Sequence, residues 1–186
     1  MGNTDFDEKI NAVSAKIIDT SRNVIFLNLR YFTKSVNMLV PVVYKGSYAT
    51  DGKRLFYDPS YLIQRYKTAE RLPVHDILHL VLHCVFRHWF INAGMDKKRW
   101  DAACDIAVES LIAELDGSFF ANEKQNEKNA VIYKLSAFMH PLTAEKVYAY
   151  LKNVDDAAVD EYSDIFSTDD HKSWNKPEKR EYEPEE

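Results

Sequence analysis

Cysteine is scarce in this chain of 186 residues, which has only Cys84 and Cys104. Two thiols are too few for a disulfide framework and fit a reducing compartment, so the cytoplasm is the expected location. Long hydrophobic runs are absent as well. No stretch of about 18 or more uncharged apolar residues exists to span a membrane, and the opening Met1-Gly2-Asn3-Thr4-Asp5-Phe6-Asp7-Glu8 has no basic-then-apolar leader pattern. A basic surplus is also missing. The net charge is −5, and residues 155–186 hold twelve acidic and four basic residues, which leaves the body near +3. Nothing in that balance resembles a nucleic-acid footprint, and no internal repeat is present. Neither nucleic acid nor a membrane is expected as a partner.

What is present is apolar residues, at 46%, enough for a real core. Residues 1–154 read as one globular domain. Residues 155–186 read as an acidic tail with a short ordered Asp169-Asp170-His171-Lys172-Ser173-Trp174 island and disorder after about 175.

The most apolar stretch, Leu72 to Phe90, holds four of the six histidines, His75, His79, His83 and His88. A helix turns about 100° per residue, so residues four apart stack one turn above each other. His75 and His79 therefore offer two imidazoles on one face, a spacing that suits one zinc ion. Asp76 stands where the His-Glu-x-x-His form of the motif has its general base. His83 continues the row, but its Cα lies about 12 Å along the axis from that of His75. With zinc–nitrogen bonds of about 2.0–2.1 Å, one ion is not expected to bind both ends. His83 and His88 are therefore not expected to join His75 and His79 on the same ion, and a third ligand must come from another segment. The alternative for this row is a core helix with histidines hydrogen-bonded at its edges.

The rest of the chain predicts an α+β domain, mostly helical with a small antiparallel sheet or hairpin. A helix is expected over residues 5–22 from Ile10, Val13, Ile17 and Ile18, with an ambiguous segment to Asn37. Met38 to Tyr44 reads as an edge strand because of Pro41, and Arg54 to Tyr57 as its antiparallel partner across the Asp51-Gly52 turn. Asp58 caps a helix opened by Pro59. The histidine helix is expected to run from Pro73 to about Ala93-Gly94. Asp96 caps the next helix and Thr143 the last clear one, while residues 118–142 read as polar and irregular. On the Asp96 helix, Asp101, Asp105 and Glu109 form one row bordered by apolar residues, which is narrow for a solvated face. Asp105, inside Ala102-Ala103-Cys104-Asp105-Ile106-Ala107, is expected to be buried.

Three stretches together resemble a bacterial metallopeptidase-domain family that usually precedes a von Willebrand factor A-like domain. They are Ala49 to Pro59, the His75–His79 motif, and Trp100 to Val108. Ala144-Glu145-Lys146-Val147-Tyr148 and the Asp170-His171…Trp174 island add to the resemblance, which spans roughly residues 5–175. It implies a zincin-like fold and a zinc-dependent peptidase acting on peptide or protein substrates. The implied partners are the von Willebrand factor A-like domain and an AAA-type ATPase. His75 and His79 are the expected zinc ligands and Asp76 the expected base. The wheel position and the resemblance together favour Asp105 as third ligand. His171 is the alternative ligand, or an oxyanion donor. Two departures stand out: Asp76 replaces the family's glutamate, and Glu109 stands where an asparagine is expected. A base one methylene short is displaced by about 1 Å or more, which can cost on the order of 100-fold in rate. Weak or absent activity is therefore expected, with Asp76→Glu raising it. The competing expectation is a non-catalytic scaffold that keeps the metal.

Overall fold

The computed structural model describes residues 2–90, 94–115, 120 and 124–175; the expected disorder beyond 175 lies outside these. Helix α1, Gly2–Asn28, is followed by a 3₁₀ turn at Arg30–Phe32 and the short α2, Thr33–Met38. The helix expected over 5–22 thus runs on into the ambiguous segment as far as Asn28. Its inward stripe is Ser14, Ile17, Ile18, Ser21 and Ile25, while Val13 is half exposed. Ser21 fits inside because its hydroxyl donates to the Ile17 carbonyl at 2.8 Å.

Three short strands follow, β1 (Val40–Val43), β2 (Ala49–Thr50) and β3 (Arg54–Tyr57), in the order β1-β3-β2. Pro41 lies on an edge strand as expected, but β1 pairs with β3 in parallel, Val40 opposite Arg54 and Val43 opposite Tyr57. The antiparallel partner of β3 is β2. The turn explains the difference. Asp51 accepts from the Lys53 and Arg54 amides and Gly52 has φ +88°, which closes a hairpin too tight to include β1. A side chain at Gly52 would also meet the Trp89 ring at 2.7 Å. That contact ties the hairpin to the end of the histidine helix.

Helix α3, Pro59–Ala69, begins where Asp58 accepts from the Ser60 and Tyr61 amides. Helix α4, Val74–Phe86, is buried without interruption from Val74 to His83. A helix buried on all sides belongs at the centre of a fold. It ends well before Ala93-Gly94 (Ala93 lies outside the described residues). Arg87 adopts φ +56°, and the His88 amide donates to the His83 carbonyl at 3.1 Å, a left-handed closure that needs no glycine here. The chain folds back, and His88 meets His83.

Helix α5, Lys97–Ala113, is capped by Asp96 through the Arg99 amide. It joins two cores. Val108 and Ile112 pack with α1, α3 and α4. Ala102, Ala103 and Ile106 pack with Leu135, Val147, Leu151, Val159 and Phe166 from the helices that follow. Those are α6 (Gln125–Met139), α7 (Ala144–Leu151) and α8 (Asp156–Phe166). Residues expected to be irregular thus form α6, whose inward face carries Leu135 and a buried Lys128. In the acidic stretch, Val159 and Phe166 anchor α8 with no exposed surface. After α8 the Asp170 amide donates to the Tyr48 carbonyl at 2.8 Å, which lays the following 3₁₀ turn, His171–Asn175, beside β2. Among the described residues, no helix is long and apolar enough to cross a membrane.

Candidate metal centre

Three segments meet at α4. His79 and His83 stand one turn apart on α4, Asp105 faces them from α5, and Asp169 arrives from the segment after α8. One ligand atom from each of these four lies within 4.8 Å of all the others. The His79 and His83 Nε2 atoms are 2.8 Å apart. Asp105 Oδ1 is 3.4 Å from the first and 3.2 Å from the second, and Asp169 Oδ1 is 3.4 and 3.9 Å from them. A tetrahedron with zinc-ligand arms of about 2.0–2.1 Å has edges of about 3.3–3.4 Å, and these separations bracket that length.

Hydrogen bonding alone leaves the cluster incomplete. Asp105 Oδ1 is buried and makes no hydrogen bond although the Nε2 atoms of His83 and His171 stand 3.2 Å away, and Asp169 Oδ2 is buried and unbonded. Buried oxygens without partners are costly, and a cation at the centre of the cluster would answer that need at Asp105 Oδ1, the oxygen that faces both imidazoles. Two neutral imidazoles and two carboxylates suit zinc or another first-row divalent ion.

The surroundings fix the ring orientations. Glu109, one turn beyond Asp105, receives His79 Nδ1 on Oε1 at 2.7 Å. This leaves Nε2 for the cluster, as carboxylates behind ligating histidines commonly do. His83 Nδ1 lies 2.9 Å from His88 Nδ1, and the His88 carbonyl accepts from Trp100 Nε1 at 2.9 Å. His171 Nε2 lies 3.0 Å from Asp169 Oδ1 and 3.2 Å from Asp105 Oδ1, its ring stacked on Trp174 with centroids 3.7 Å apart.

Protons balance the carboxylates when no cation is bound. Burial would lower the His79 pKa, but Asp105, Asp169 and Glu109 outweigh it and hold it well above the usual range. For His171, burial is again outweighed, by Asp169 and Asp105, and the group is pushed up to about 10. Burial would raise the Asp105 carboxyl, yet His171, His79 and His83 keep it well below its ordinary value. Burial and the nearby His79 charge push His83 down to about 4, so it is neutral and ready to ligate at neutral pH. Binding a divalent ion must therefore displace the His79 proton. Affinity should rise about tenfold per pH unit below the His79 pKa for that one proton. Calorimetry of zinc binding at pH 7 in buffers of different ionisation enthalpy should report at least one proton released per ion. Release of none would contradict this protonation pattern.

The structure thus gathers His79, Asp105 and His171 and adds His83 and Asp169. His75 and Asp76 lie elsewhere. His75 Nε2 meets the other Glu109 oxygen, Oε2, at 3.0 Å, and its Nδ1 faces Asp76 Oδ1 at 3.2 Å. Asp76 Oδ2 lies 3.9 Å from the Arg65 guanidinium, beside a cavity of about 20 Å³ lined by Arg65, Tyr66, Arg71 and Pro73. The signal for His83 was present in the sequence, since His79 and His83 have the same four-residue spacing as His75 and His79. Spacing cannot choose between the two pairs. Asp169, two residues before His171, belongs to the same acidic island.

A family described as "Putative metallopeptidase domain" matches residues 43–183. No curated protein and no solved structure matches the chain.

Proposed function

Since the chain belongs to this metallopeptidase-domain family, we propose that it is a zinc-binding member in which the ion is a structural clasp. The domain then serves as a metal-stabilised interaction module. His79, His83, Asp105 and Asp169 would hold the ion. The observation that carries this proposal is that four buried side chains already supply a complete donor set. Structural zinc sites are closed by four protein ligands, whereas catalytic ones keep a position for water or substrate. An ion here would supply a cross-link between α4, α5 and the segment after α8. The candidate partners are those implied by the family resemblance, a von Willebrand factor A-like domain and an AAA-type ATPase.

The position of Asp76 supports the same conclusion. A general base must lie within hydrogen-bond reach of the proton it removes, and the Asp76 oxygens face His75 and Arg65. For the chosen pair the residue after the first histidine is Leu80, which cannot take a proton. The peptidase alternative has the family membership in its favour and the His75-Asp76-Ile77-Leu78-His79 spacing. It would need one of the four donors to yield its place and Asp76 to leave its partners.

Hydrolysis of an unfolded protein substrate separates the two. Wild type and Asp76→Glu, at equal zinc occupancy, should both cleave no faster than His79→Ala. Zinc-dependent cleavage by wild type that disappears in His79→Ala, or a gain in Asp76→Glu, would establish the peptidase instead.

A further inference from the structure

Lys128 is 1% exposed on α6, and a lysine is almost never fully buried without a partner. Its Nζ lies 3.0 Å from Glu109 Oε1 and 3.5 Å from Thr168 Oγ1, above the Phe166 ring. Glu109 is itself fully buried. Its Oε1 is thus shared by Lys128, His79 Nδ1 and the Thr168 hydroxyl, at 3.0, 2.7 and 3.4 Å. Its Oε2 is given to His75.

Burying such a pair is a poor way to gain stability, because desolvation of both charges offsets their attraction. Its geometry matters more. With Nζ and the Thr168 hydroxyl on Oε1 and His75 on Oε2, the carboxylate is held with Oε1 2.7 Å from His79 Nδ1. That contact decides which nitrogen of His79 faces the cluster. Thr168, the second neighbour of Lys128, immediately precedes Asp169. One ammonium group therefore braces the supports of two of the four donors, on two different segments.

We infer that Lys128 is a positioning residue for the metal centre, acting through Glu109 on His79 and through Thr168 on Asp169. The inference rests on the zinc-site proposal above. Outer partners of metal ligands are typically worth about 10- to 100-fold in metal affinity, and that is the loss expected for Lys128→Met.

The test is zinc affinity, by competition with a chromophoric chelator, for wild type, Lys128→Met, Glu109→Gln and the double variant. Lys128→Met should weaken binding by about 10- to 100-fold. The same change in the Glu109→Gln background should weaken it much less, since the carboxylate it orients is gone. An equal loss in both backgrounds, or no loss from Lys128→Met while wild type binds zinc, would overturn the positioning role. If Lys128→Met fails to fold by circular dichroism, the double variant, which leaves no lone buried charge, carries the test. It should bind zinc no worse than Glu109→Gln alone, and a further tenfold loss would overturn the inference. A wild type that refuses zinc overturns the metal proposal itself, a failure distinct from an unaffected Lys128→Met.

Discussion

His83→Ala should weaken zinc binding by roughly 70- to 900-fold, whereas His75→Ala should leave a site that still fills. The spacing of the four histidines alone points the other way, to His75 and His79. The difference lies in the third dimension. Glu109 takes His75 Nε2 on one oxygen and His79 Nδ1 on the other. This removes His75 from the cluster and turns His79 toward His83. Removing His83 leaves three donors, two of them carboxylates facing a single imidazole. Structural zinc sites draw roughly 10–16 kcal/mol from four ligands together, an equal share of about 2.5–4 kcal/mol each, so losing a whole imidazole should cost roughly 70- to 900-fold in affinity. His75→Ala removes one support of Glu109, an outer effect of about 10- to 100-fold. Chelator competition on both variants, with folding checked by circular dichroism, measures the contrast. A His75→Ala protein that loses zinc while His83→Ala keeps it would restore the assignment read from spacing.

Removing the ion should destabilise the whole domain and loosen its last described segment most. Asp169 belongs to the stretch after α8, which reaches α4 and α5 through the cluster and also packs Trp174 against Trp100, Cys104 and Ala107. With free zinc at about 1,000 times its Kd, binding stabilises the folded state by about 4 kcal/mol. For a chain of this size that corresponds to a Tm lower by roughly 8–16 °C in the metal-free protein. Hydrogen exchange should rise first at residues 167–175, while α8 stays protected by Val159 and Phe166 in the core. A metal-free protein with unchanged Tm and exchange would show that the cluster does not clasp these segments.

The parts of this fold that were legible in the sequence were set by neighbours along the chain. Asp58-Pro59, Asp96 and Thr143 mark helix starts because a cap needs only a side-chain oxygen and an amide two or three residues on. Asp105 could be placed inside because it interrupts an otherwise apolar face. The parts that were hidden depend on distant contacts. Helix α6 turns a lysine inward, so its polar composition looked like a loop until Glu109 supplied the counter-charge. Helix α8 is acidic outside, and its buried residues are Val159 and Phe166. Arg87 ends α4 without glycine, and with it goes the expectation that the histidine row continues straight. The parallel pairing of β1 with β3 could not be read from two apolar runs, because a crossing loop and a hairpin turn look alike locally. The two equally spaced histidine pairs differ in the fold because Glu109, 30 residues from His79, takes His75 on one oxygen and His79 on the other.

X-ray absorption at the zinc edge, on wild-type protein purified without chelator, tests the central claim most directly. The expected spectrum is that of a four-coordinate ion with two imidazoles and two oxygens at about 2.0–2.2 Å, and about one ion per chain. An ion with a single imidazole, a sulfur shell, or no bound ion in a protein that also refuses added zinc would contradict the account.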